Sequence, residues 1–151
     1  TPPQKWLTSK RPFLAQFITT MNSFGETLSG RRVVISTDGG RIRIRKNKRG
    51  PKTEKGRRRY STKWREPKLL IIYVINEEGK MEREITPFID GTMKGPDAIF
   101  RLLEYYLSGM EIRKADQILF IADGALWIWN RVPRLMMALG LRRIVIRWLT
   151  I

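Results

Sequence analysis

Two aspartates stand where short apolar runs give way to glycine. Asp38 follows Val33-Val34-Ile35 and precedes Gly39-Gly40; Asp123 follows Ile118-Leu119-Phe120-Ile121-Ala122 and precedes Gly124. In α/β sheets, ligand sites gather at the carboxyl ends of parallel strands. If the two strands are neighbours, the carboxylates meet there, and close carboxylates are unfavourable unless a cation sits between them. Mg²⁺ or Mn²⁺ is the natural occupant, and such ions can clamp a phosphodiester for in-line displacement. Gly39, Gly40 and Gly124 let a substrate backbone approach. The chain has no Cys and no His. That excludes zinc held by thiolate or imidazole, Ser-His-Asp or Cys-His catalysis and a histidine general base. Any chemistry therefore falls to the carboxylates. A plainer reading stands beside this one: Asp38, Asp90 and Asp123 are each followed by Gly, and Asp-Gly is a common turn pair. Glu66 reads either as a spare metal ligand or as a partner of Arg65.

The second chemical feature is charge. The 151 residues carry 30 Lys/Arg against 14 Asp/Glu, a formal charge of +16. Residues 41–68 hold fourteen of the basic residues and two acids, Glu54 and Glu66, so this segment carries +12 of the total. Charge at this density repels itself unless a polyanion neutralises it. Phosphate backbone binding is the implied role. The candidate nucleic-acid-binding residues are Arg41, Arg43, Arg45, Lys46, Lys48, Arg49, Lys52, Lys55, Arg57, Arg58, Arg59, Lys63, Trp64 and Arg65. Arginine favours forked contacts to phosphate or guanine edges, and Trp64 is a candidate for stacking on a base. Trp127 and Trp129 read instead as core or packing rim.

The elements that must position these residues follow from periodicity. Phe13, Leu14, Phe17, Ile18 and Met21 recur at helical spacing within an N-terminal lead-in, residues 1–30. Residues 32–37 form a β-branched strand, and residues 41–45 alternate Ile with Arg, which predicts a half-buried strand with a cationic outer face. Between them, Asp38-Gly39-Gly40 is either a hairpin turn or a bulge in one long bent strand. Residues 46–63 are nearly free of apolar side chains and read as a flexible basic arm. Strands are predicted at 69–75, 83–89, 117–122 and 143–149. Helices are predicted at 96–109 and 125–139, the latter kinked by Pro133. The order is three antiparallel strands, helix, strand, helix, strand, with the last two strands joined as parallel crossovers. The fold class is α/β: a mixed sheet of about five strands with helices on its faces. One core domain is expected at 31–151, with a basic insertion at about 46–66. At 42% hydrophobic with five Trp, the chain can build a core. Its longest apolar run, residues 69–75, is far short of the roughly 20 residues a spanning helix needs. No secretory signal is legible, so a cytoplasmic setting and no membrane partner are expected.

Three segments together resemble bacterial insertion-sequence transposases of the DDE class. They are Ile35-Ser36-Thr37-Asp38-Gly39-Gly40-Arg41-Ile42-Arg43-Ile44-Arg45, Trp64-Arg65-Glu66-Pro67-Lys68, and Ile121-Ala122-Asp123-Gly124-Ala125-Leu126-Trp127-Ile128-Trp129-Asn130. The similarity covers roughly residues 31–141, and its third segment is long and specific. The resemblance implies a ribonuclease-H-like fold with catalytic, metal-binding Asp38 and Asp123. It also implies Mg²⁺ or Mn²⁺ as cofactor, DNA (transposon ends and target) as partner, and a homo-oligomer. The family's reaction is metal-dependent DNA cleavage and transfer of the freed 3′-hydroxyl into target DNA. The family also needs a third acidic residue on a helix after the last strand, yet residues 124–151 contain no Asp or Glu. The expectation is a core fragment, cut or frameshifted near residue 141, whose two carboxylates hold one Mg²⁺ weakly and do not support strand transfer. The alternative class is a non-catalytic, basic nucleic-acid-binding protein.

Overall fold

The computed structural model describes residues 23–141 and the backbone of a last strand at 144–148. The predicted amphipathic stretch at 13–21 lies outside the described residues. Five strands form one mixed sheet: β1 (Arg32–Gly39), β4 (Lys68–Ile75), β5 (Phe88–Thr92), β6 (Gln117–Ala122) and β7 (Ile144–Trp148), in the order β5-β4-β1-β6-β7. The central strand β1 is antiparallel to β4 and parallel to β6, and β6 is parallel to β7. The predicted crossovers are therefore present.

One face of the sheet makes the core. Val33 and Ile35 of β1, Leu70, Ile72 and Val74 of β4, and Ile118, Phe120 and Ala122 of β6 are all buried, at the alternate positions a pleated strand sends to one side. Helix α1 (residues 23–28) sends Leu28 into this core, and α2 (Pro96–Gly109) adds Ile99, Phe100, Leu103, Tyr106 and Leu107. Pro96 and Gly95 at the start of α2 fit the predicted beginning of that helix. The predicted helix at 125–139 is two helices, α3 (Leu126–Trp129) and α4 (Val132–Ala138). Proline has no N–H to donate and its ring clashes with the carbonyl four residues back, here that of Trp129. The chain therefore stops at Trp129 and restarts with Pro133 in the first turn of α4.

Further expectations need correction. The strand predicted at 83–89 is β5 at Phe88–Thr92; Pro87 cannot donate to a ladder, so regular pairing with β4 begins just after it. The strand at 41–45 is not half-buried. It is β2 (Ile42–Asn47), exposed at every position, with Ile42 at 45% and Ile44 at 41% exposure. β2 pairs with β3 (Tyr60–Arg65), also exposed throughout, in a separate two-stranded ribbon. The basic arm is thus a β-hairpin with a hydrogen-bonded tip. Lys48 N donates to Arg59 O (2.9 Å), Thr53 N to Arg57 O (2.8 Å) and Gly56 N to Thr53 O (2.8 Å).

Asp38-Gly39-Gly40 makes neither a hairpin turn nor a bulge. The residue pairing keeps one offset from Arg32↔Ile75 through Gly39↔Lys68 and on from Ile42↔Arg65 to Asn47↔Tyr60. β1–β2 and β3–β4 are therefore two sides of one long antiparallel ribbon, interrupted for two residues. At the break Gly40 N donates to Pro67 O (3.0 Å), and Pro67 has no N–H to return the bond.

Candidate carboxylate site and nucleic-acid interface

β1 and β6 are parallel neighbours, and their pairing ends at Ser36↔Ile121. Two residues further on stand Asp38, still within β1, and Asp123, just past the end of β6. Adjacent strands lie about 4.8 Å apart, and this register carries the chain to Asp38 and to Asp123 at the same, carboxyl end of the sheet. Both are exposed, and Asp38 lies on the face of β1 opposite Val33 and Ile35. Asp38 Oδ1 accepts from Gly39 N (2.6 Å) and Asp123 Oδ1 from Ala125 N (3.0 Å). The second carboxylate oxygen of each has no hydrogen-bond partner among the described residues. Two exposed carboxylates with free oxygens suit a hard cation that keeps several waters. Among the described residues, no group of three or more acidic side chains gathers to hold a metal. Asp90 is differently placed. It lies within β5 and accepts hydrogen bonds from the Tyr106 hydroxyl and from Gly91 N (2.7 Å). Burial and this contact with Asp90 push the Tyr106 hydroxyl well above its ordinary pKa.

Glu66 does not pair with Arg65. It faces Arg41 Nε (3.8 Å) and Lys68 Nζ (3.6 Å). Lys68 is a residue the sequence reading passed over. It is 6% exposed, and its ammonium lies over the Trp127 ring at 4.8 Å. A Cβ at position 39 would stand 2.8 Å from Lys68 Nζ, so glycine there makes room for the lysine. Gly39, Glu66 with Lys68, and Trp127 come from the three separate segments quoted above, and all meet at this one ammonium. Trp127 also packs edge-on against Phe100 (6.3 Å), and Trp129 against Phe120 (6.0 Å). Trp129 Nε1 donates to Asp123 O (2.6 Å), which holds the backbone of the second carboxylate. Both tryptophans are packing residues, as the sequence suggested.

The ribbon carries the charge. Pairing sets Arg43 opposite Trp64, Arg45 opposite Thr62 and Asn47 opposite Tyr60, all on one face. The guanidinium of Arg45 lies over the Tyr60 ring at 3.9 Å, and those of Arg41 and Arg43 over the Trp64 ring at 5.3 and 6.0 Å. Trp64 and Tyr60 remain 55% and 48% exposed. The other face carries Ile42, Ile44 and Lys46 with Ser61, Lys63 and Arg65. Lys48, Arg49, Lys52, Lys55, Arg57, Arg58 and Arg59 stand exposed in the loop between the strands. Tyr60 was missed in the sequence; the signal was the two-residue period Tyr60-Thr62-Trp64 answering Arg41-Arg43-Arg45. No family model matches this chain, and no curated protein matches it.

Proposed function

We propose that the chain is a DNA-binding core of the DDE transposase class, built on a ribonuclease-H-like sheet, with an incomplete carboxylate site. The observation that carries this reading is the parallel pairing of β1 with β6, whose register runs to Ser36↔Ile121, two residues before Asp38 and Asp123. A mixed sheet centred on β1 supports it, as does the meeting of the three resembling segments at Lys68. In this reading Asp38 and Asp123 hold Mg²⁺ or Mn²⁺ by their free oxygens, and the basic ribbon holds DNA. The bound ion would supply charge stabilisation to a phosphodiester undergoing in-line displacement. The chain's own residues position the backbone: Trp129 fixes Asp123, and Lys68 fixes the end of β1 at Gly39. A cytoplasmic setting and self-association belong to the same proposal.

The second reading is a non-catalytic nucleic-acid-binding protein. It is favoured by the absence of a third acidic ligand among the described residues. The double variant Asp38→Asn/Asp123→Asn separates the two. The transposase reading expects Mg²⁺ to tighten DNA binding in the wild type and to lose that effect in the double variant. An unchanged Mg²⁺ dependence would remove the carboxylates from the site and leave the binding-protein reading.

A further inference from the structure

Resting on the DNA-binding reading above, we propose that the β2–β3 ribbon reads duplex DNA from the major groove with its Arg43–Arg45–Tyr60–Trp64 face. A two-stranded ribbon is one of the two elements that the major groove, about 12 Å wide, admits. Each strand of the ribbon has six residues, about 20 Å at the usual rise, and residues two apart on one face are separated by about 6.7 Å. Base pairs stack every 3.4 Å or so, so successive arginines on the face keep step with every second base pair.

Chemistry then chooses hydrogen bonding over base stacking. A guanidinium that lies over a ring gives up its flat face and keeps its in-plane N–H groups. Tyr60 carries Arg45 in this way, and Trp64 carries Arg41 and Arg43. The aromatic rings thus hold the arginine forks in place. Arg41 is tied at 3.8 Å to Glu66. Among the described residues, Arg43 and Arg45 have no acidic partner, so both forks are free for guanine O6 and N7, the commonest specific contact in that groove. Arg57, Arg58 and Arg59, in the loop that joins the strands, reach phosphates beyond the bases.

The test is an anisotropy titration of the full chain with three probes: a short mixed-sequence duplex, its isolated strand, and the same duplex carrying 7-deazaguanine for guanine. The duplex is expected to bind about tenfold tighter than the strand or better, and loss of the guanine N7 acceptor to weaken it severalfold. Arg43→Gln/Arg45→Gln should weaken duplex binding about tenfold or more and erase the 7-deazaguanine effect. Arg57→Ser/Arg58→Ser/Arg59→Ser should keep that effect and lower the log-log salt slope by up to about 2.7. Two results overturn the groove assignment while leaving DNA binding intact. One is a strand bound as tightly as the duplex, with Tyr60→Ala/Trp64→Ala costing more affinity than the arginine pair. The other is displacement by netropsin, a minor-groove ligand. Failure to bind any of the three probes overturns the DNA-binding reading itself.

Discussion

A buried lysine must have its ammonium answered, and Lys68 is answered from two directions, the Trp127 ring and the Glu66 carboxylate, while glycine at 39 leaves it room. Its stem is buried at the Gly39 end of the β1–β4 pair, where the β2–β3 ribbon begins. Truncating it removes packing as well as charge. Lys68→Ala is expected to lower stability by about 1–3 kcal/mol, read by thermal or urea denaturation. Lys68→Met keeps the stem and should recover most of the loss; equal losses in the two variants would show that the charge, and not the packing, matters. The two aspartates were legible in the sequence because each ends a β-branched or apolar run, a purely local signal. Lys68 was not, because its burial depends on Trp127, which only the folded chain brings near. Tyr60 was hidden by the low complexity around it.

At the scale of elements, the ribbon and the broken helix carry the same lesson. The alternation Ile42-Arg43-Ile44-Arg45 is the pattern of a strand whichever face is covered, so periodicity gives the strand and not its burial. What decides is Pro67, whose missing N–H breaks the ladder and lets β2–β3 leave the sheet. The arm looked unable to order itself because its side chains are polar; its order comes from backbone pairing with β2 and the tip hydrogen bonds. The junction of α3 and α4 is held by Arg131, which donates to Asp97 Oδ1 (2.8 Å) at the start of α2 and to Trp127 O (2.8 Å). The Arg131 guanidinium lowers the Asp97 carboxyl below its ordinary value. A lowered carboxylate stabilises the fold above the unfolded-state value, near 4, and that stability is lost as pH falls through the folded-state value. Asp97→Asn should therefore cost a small amount of stability at neutral pH and none in strong acid, as urea midpoints at the two pH values would show. A difference that persists in acid would assign the effect to packing.

Over the whole molecule, charge and fold divide the work. The sheet and its helices bury a continuous apolar core, while +12 of the +16 sits in residues 41–68. The α/β class, the antiparallel strands and the two parallel crossovers were readable from element order, because runs joined through helices return parallel. The place of the ribbon was not, since nothing local distinguishes a sixth sheet strand from one that projects beyond the sheet. No helix among the described residues is long and apolar enough to cross a membrane. In the function proposed above, the basic ribbon holds DNA and Asp38 and Asp123 form a carboxylate site that lacks its third ligand. Titrating Mg²⁺ and Mn²⁺ into the chain with supercoiled DNA, read for both binding and strand nicking, tests it most directly. Cation-dependent binding with no nicking is the expected result. Nicking that requires the metal and disappears in Asp38→Asn would contradict it.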